Sequence, residues 1–209
     1  MERAPRPHDL LRLAPGAPPF TDAPAWVAPA LSRAPFVVVR RAPRSGDAIA
    51  VGVRGGVRSE RFGAWLEPRW IGEVFTPENL RTRAPDSARA SLPAFVLLRA
   101  VAPIIDAHGL DWGPAGSAGF ELASATPAIT PASDLDIVVR APVPLPRDAA
   151  SSLSDALSRA AQSADTRIDV QVETPDAAFS LAEFARAGVR VMLRHADGPR
   201  LAIDPWAAT

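Results

Sequence analysis

Apolar and polar positions follow no regular period over residues 1 to 30. Proline and alanine dominate this stretch, with one short apolar cluster at Leu10, Leu11 and Leu13, and it reads as an irregular lead-in. The first regular signal is Pro35-Phe36-Val37-Val38-Val39-Arg40, a β-branched run bounded by proline. A turn-like Arg44-Ser45-Gly46-Asp47 separates it from Ile49-Ala50-Val51-Gly52-Val53-Arg54, so the two runs predict a hairpin. Arg61 to Leu66 fits a third strand or a short helix. Thr76 followed by Pro77 marks a helix start, with threonine as cap and proline at the first helical position.

Beyond a boundary at Pro85 and Asp86 the periods are clearer. Leu92, Phe95, Val96, Leu98, Val101 and Ile105 recur at helical spacing between Ser91 and His108, and Gly109 closes the helix. A short strand and turn are expected over Trp112 to Ser117. Asp134-Leu135-Asp136-Ile137-Val138-Val139 alternates and then runs apolar, the mark of a largely buried strand. Asp148 to Ser163 is helical, with Leu153, Ala156, Leu157 and Ala160 on one face. Arg167 to Glu173 is a period-2 strand. Phe179 to Phe184 opens a further helix, Val189 to Leu193 is a strand, and Leu201 to Trp206 is a short strand stopped by Pro205. The expectation is an α/β (α+β) protein. A small β-containing domain over residues 1–85 precedes a mixed sheet with helices over residues 86–209.

Composition narrows the function classes. There is no cysteine, which excludes disulfides and thiolate metal sites. No apolar run approaches the roughly 18 residues of a membrane span, and a soluble, cytoplasmic protein is expected. Net charge is zero, yet every basic residue other than histidine is arginine, whose planar fork of donors suits phosphates and carboxylates. Arginines exceed acids before about residue 85 and acids exceed arginines after it. With no net positive charge, no tyrosine and no basic-aromatic stripe, nucleic-acid binding is not expected.

The candidate chemistry lies in the second half. Asp134 and Asp136, two apart on a strand, point to one face while Leu135 points into the core. Side by side, two anions repel unless a cation lies between them, and oxygen ligands of this kind suit Mg²⁺. Asp169 lies on a later apolar strand. If that strand neighbours the first, it supplies a third carboxylate, and three such groups can hold two metal ions about 3.5–4 Å apart for phosphoryl transfer. Upstream, Gly116 and Ser117 end a turn where backbone N–H groups and a hydroxyl can approach a triphosphate.

Gly116-Ser117, Asp134-Leu135-Asp136-Ile137 and the later Asp169 together resemble the nucleotidyltransferase superfamily that includes DNA polymerase beta. Sixteen residues separate Ser117 from Asp134, more than is usual in that superfamily. The stretch from Gly116 through Asp136 is similar instead to one branch, the malonate decarboxylase holo-acyl-carrier-protein synthases, which are phosphoribosyl-dephospho-CoA transferases. The resemblance extends to Arg6-Pro7-His8-Asp9-Leu10-Leu11, Val51 to Gly55, Asp169 to Pro175, Phe179 to Glu183 and Asp204-Pro205-Trp206. It implies transfer of the 2′-(5″-phosphoribosyl)-3′-dephospho-CoA group from a triphosphate donor to a serine of the apo acyl-carrier subunit, with release of diphosphate. On that resemblance Asp134, Asp136 and Asp169 are the catalytic and metal-binding residues, and Gly116 and Ser117 bind the triphosphate. Mg²⁺ is the expected ion, with Mn²⁺ as the alternative. A citrate-lyase-type transferase, an AMP-transferring enzyme and a non-catalytic binding module are the competing readings.

Lesser features carry weaker expectations. An arginine should stabilise the leaving diphosphate, and Arg99 and Arg140 lie near the motifs in sequence. Glu121 and Glu173 are expected outside the immediate metal shell, and His8 and His108 in structural roles. Trp112 and Trp206 are expected to pack in or at the rim of the core rather than stack on adenine. Arg54, Arg58 and Arg61 form either a docking face for an acidic carrier protein or a solvated surface.

Overall fold

The computed structural model describes residues 3–43, 45–57, 59–186, 188 and 190–207. Arg44, Arg58 and Val189, each part of an expectation above, lie outside the described residues. The chain divides into two compact units, Met1–Thr76 and Pro77–Thr209.

The first unit is a five-stranded antiparallel sheet. Its strands are β1 (Leu10–Leu13), β2 (Phe36–Val39), β3 (Ile49–Arg54), β4 (Arg61–Leu66) and β5 (Ile71–Phe75), in the order β4-β3-β2-β1-β5. The β2–β3 hairpin forms as expected, and Arg61–Leu66 is the strand of its two expected options. The lead-in is not irregular. Leu10–Leu13 is a sheet strand between β2 and β5, and Val27–Arg33 is a helix, α1. Leu11 and Val27 are buried in one cluster with Val37, Val39, Val51 and Val53. Burial of a side chain such as Leu11, worth about 1.5–3 kcal/mol, offsets the weak local propensity of these short, proline-flanked segments.

The second unit begins with α2 (Pro77–Leu80) and α3 (Pro93–Asp106), followed by β6 (Asp111–Pro114) and α4 (Gly116–Ser124). Then come β7 (Leu135–Arg140), α5 (Arg147–Ser163), β8 (Ile168–Glu173), β9 (Ala177–Ser180), α6 (Leu181–Phe184), β10 (Val191–His195) and β11 (Gly198–Ala202). Its six-stranded sheet runs β11-β10-β9-β8-β7-β6, and only β7 and β8 are parallel. Gly116 and Ser117 open a helix rather than ending a turn. Phe179 belongs to a strand rather than to the start of a helix.

The two faces of this sheet differ. Leu135, Ile137, Val139 and Val172 are buried, at 0–1% exposure, on one face. The stripe of α5, Leu153, Leu157 and Ala161, and that of α3, Phe95, Leu98, Val101 and Ile105, are apolar and buried and find their match there. On the opposite face stand Asp136, Arg140, Asp169, Gln171 and Glu173. Gly113 on β6 permits close packing of α2: a Cβ at this position would lie 1.8 Å from the carbonyl oxygen of Pro77.

Candidate active site

Parallel pairing of β7 and β8 sets Asp136 directly against Asp169, Val138 against Gln171 and Arg140 against Glu173. Register partners in a sheet share a face, so the two carboxylates are neighbours on the polar side. Asp134 immediately precedes β7, with the same parity as Asp136, and its carboxylate lies 3.8 Å from the guanidinium of Arg167. The fold therefore puts all three aspartates at one end of two adjacent strands. Among the described residues, no three His, Cys, Asp or Glu side chains are grouped so as to cage a metal ion by themselves.

Gly116 meets this pair from the next element. It has φ +52°, and a Cβ built on it would lie 1.8 Å from Oδ2 of Asp136. Glycine is thus required twice, for the left-handed backbone and for the space taken by the carboxylate. The Ala115 N–H donates to the backbone oxygen of Asp136 at 2.9 Å, and the first helical bond of α4 is Gly119 N–H to Ala115 O at 2.8 Å. Ala115 caps α4 without a side-chain acceptor, so the N–H groups of Gly116, Ser117 and Ala118 have no partner within the helix. Such a helix start favours an anion.

The sixteen residues between Ser117 and Asp134 are filled by α4 and a pinned loop. Buried Glu121 accepts from Ala128 N–H at 2.7 Å and Ile129 N–H at 2.8 Å. Arg89 donates to both oxygens of Glu121, at 2.5 and 3.0 Å, and to Ile129 O at 2.6 Å. Burial opposes ionisation of Glu121, but the hydrogen bonds from Arg89, Ala128 and Ile129 outweigh it and hold the carboxyl below its ordinary value. These bonds pin the loop that leads from α4 toward β7. Thr166 adds a clasp from the start of β8, donating from Oγ1 to Ser133 O at 3.1 Å.

Further along the polar face, buried Arg140 donates to Glu78 at 3.0 Å and lies 3.8 Å from Glu173. Gln171 Nε2 donates to Glu173 at 2.8 Å, and Arg194 on β10 donates to Gln171 Oε1. Of the two arginines singled out in the sequence, Arg140 lies on the carboxylate face. Arg99 sits on α3 and donates to Ala90 O. Arg194 escaped sequence reasoning because an arginine in an alternating strand looks like ordinary solvent exposure; only the sheet register reveals its face. Trp112 is 1% exposed and donates to Asp106 Oδ1 at 2.8 Å. Trp206 packs edge-on against Phe179 and Phe184 and donates to Ala141 O at 2.8 Å. Both indoles serve packing. His8, at φ +75°, turns the chain into β1, its N–H bonded to Val39 O at 3.0 Å. Arg54 and Arg61 are register partners on β3 and β4 of the first unit.

Paired carboxylates lie beside an open helix start on a mixed sheet, an arrangement that fits a transferase of nucleotidyl type. Two family models match the chain: the phosphoribosyl-dephospho-CoA transferase MdcG N-terminal domain over residues 6–77 and the corresponding C-terminal domain over residues 80–205. A phosphoribosyl-dephospho-CoA transferase of Pseudomonas putida is 43% identical over 204 residues, covering 98% of this chain and 96% of the relative. One from Pseudomonas aeruginosa is 42% identical, covering 97% and 94%, and one from Azotobacter vinelandii 39%, also covering 97% and 94%. The chain belongs to the phosphoribosyl-dephospho-CoA transferase family. No solved structure matches it. Among the described residues, no helix is long and apolar enough to cross a membrane.

Proposed function

We propose that the protein transfers the 2′-(5″-phosphoribosyl)-3′-dephospho-CoA group from its 5″-triphosphate to a serine of the apo acyl-carrier subunit of malonate decarboxylase, in the cytoplasm. The observation that carries this reading is the register of Asp136 against Asp169, with Gly116 pressed against the Asp136 carboxylate. Family membership supplies the donor class. Mg²⁺ suits such carboxylates, because it keeps waters and shares its shell between protein carboxylates and substrate phosphates. Asp134 and Asp136 would hold it, with Asp169 beside them. When bound, the ion would offset charge on the triphosphate and on the departing diphosphate.

The protein's own groups then have defined tasks. The N–H groups of Gly116 and Ser117, with the Ser117 hydroxyl, hold phosphate oxygens. Asp169 takes the proton of the acceptor serine as its oxygen bonds to the α-phosphorus and the bond to diphosphate breaks. Mass spectrometry tests the proposal: apo carrier subunit is incubated with this protein, Mg²⁺ and the triphosphate donor. The expected result is a mass gain equal to the phosphoribosyl-dephospho-CoA group, abolished by EDTA and in folded Asp136→Ala. An AMP-sized gain with ATP instead would move the protein to the AMP-transferring class. No gain from either donor would overturn the reading.

A further inference from the structure

The polar face of the second sheet continues past the carboxylates to an exposed arginine. Glu173 on β8 pairs with Ala178 on β9, and Ala178 with Arg194 on β10, so Arg194 shares the face of Asp136, Asp169 and Gln171. Its guanidinium is held by the amide oxygen of Gln171, whose own NH₂ group is engaged by Glu173. A neutral acceptor orients the guanidinium without balancing its charge, and among the described residues Arg194 makes no ion pair. Arg200 on β11, by contrast, lies 3.5 Å from Asp197.

An apolar shelf adjoins this charge. Met192 is 41% exposed and Leu201, its register partner on β11, 58% exposed, and both have the parity of Arg194. The Met192 N–H is bonded to Glu183 Oε1 at 3.1 Å, which fixes the strand there. Arg194 stands level with Glu173, four residues along from Asp169 and two strands across. At about 3.3 Å per residue and 4.8 Å per strand, the two Cα atoms are roughly 16 Å apart. The guanidinium itself, held at Gln171, is offset from Asp169 by two residues, about 6.6 Å along β8, so it meets a group of the ligand beyond the phosphates beside Asp136. That placement suits a second anionic group on the same extended ligand, followed by an apolar arm.

Resting on the reading above, we propose that Arg194, Met192 and Leu201 form the subsite for the dephospho-CoA part of the donor. The guanidinium, oriented by Gln171, pairs with the diphosphate that joins adenosine to pantetheine, and the pantetheine arm lies along Met192 and Leu201. Planar bidentate pairing with phosphate oxygens is the chemistry arginine provides best.

Calorimetry of the full chain tests this with two ligands: 3′-dephospho-CoA without metal, and inorganic tripolyphosphate with Mg²⁺. Arg194→Ala should weaken dephospho-CoA binding tenfold or more and leave tripolyphosphate binding unchanged. Asp136→Asn should do the reverse, and Arg200→Ala should change neither. Met192→Glu should also weaken dephospho-CoA binding while the fold, followed by circular dichroism, stays intact. Wild-type affinity of Arg194→Ala for dephospho-CoA would overturn the proposal, as would equal losses for both ligands or no binding to the wild type. These readouts need no acceptor, so failure of group transfer to the carrier subunit is a separate result.

Discussion

Replacing Gly116 by alanine separates two costs that usually travel together. The backbone cost arises because φ is +52° and an L-residue in the left-handed region is disfavoured by about 1–2 kcal/mol. In a domain of this size that lowers Tm by roughly 2–8 °C, at 2–4 °C per kcal/mol. The second cost falls on the site. With the added methyl 1.8 Å from Oδ2 and 2.6 Å from Cγ of Asp136, the carboxylate must leave its position. Misplacement of a reacting group by about 1 Å costs on the order of 10²-fold in rate. Gly109 provides the matched control, since its φ is +66° and a Cβ there meets nothing within 4 Å. Gly116→Ala and Gly109→Ala should therefore lose similar stability in thermal denaturation. In the carrier-modification assay only Gly116→Ala should lose kcat, about a hundredfold. If Gly116→Ala kept transfer within threefold of wild type, or Gly109→Ala lost as much, the contact with Asp136 would not be what demands glycine.

Further outcomes follow from other contacts. Gly113→Ala would place a methyl 1.8 Å from the Pro77 carbonyl, a backbone atom that cannot swing aside; the variant should lose more Tm than any of the glycine changes above, and an unchanged Tm would refute the packing of α2 on β6. Because the carboxyl of Glu121 is held below its ordinary 4.5, its contribution is complete above that pH and lost as pH falls through the lowered value. Thermal melts across pH 3 to 7 should show stability dropping on the acid side. Glu121→Gln should be less stable at pH 7 and show a shallower acid drop, and parallel curves would argue against the pinned loop. Asp106, lowered chiefly by its bond from Trp112 and further by Arg81, should contribute to the acid sensitivity that remains in that variant. Arg147 donates to Phe184 O at 2.7 Å, Arg186 O at 3.1 Å and Ile203 O at 3.2 Å; Arg147→Ala should increase proteolysis or hydrogen exchange in the C-terminal segment first, and unchanged protection there would refute its role as a latch.

The sequence made some parts of this molecule plain for physical reasons. Long amphipathic stretches such as α3 and α5 declare themselves by period, and an aspartate inside an apolar strand is conspicuous because burial would penalise it without a task. Asp136 and Asp169 were therefore visible, although their pairing depended on strand adjacency that no local pattern encodes. The four-residue strands β1 and β9 were hidden, because a segment that short is selected by its neighbours. Leu11 is fully buried between β2 and β5, and Phe179 packs against Phe184 and Trp206. The helix opened by Gly116 was missed because small residues (Gly-Ser-Ala-Gly) lack the side chains that mark a period. Glu121 looked like a solvent or outer-shell acid, since its partner Arg89 lies far away in sequence and is brought near only by the fold.

The bond from Ala115 to Asp136 changes what motif spacing means in this protein. It joins the start of α4 to the carboxylate strand directly, so the intervening residues are a detour rather than a ruler. Doubling the length of such a detour costs only about 0.6 kcal/mol in closure entropy, and Arg89 and Glu121 anchor its middle. A lineage is thus free to lengthen or shorten this stretch without moving a reacting atom. The invariant to seek in distant relatives is a small residue whose amide meets the carboxylate strand, whatever number of residues lies between them.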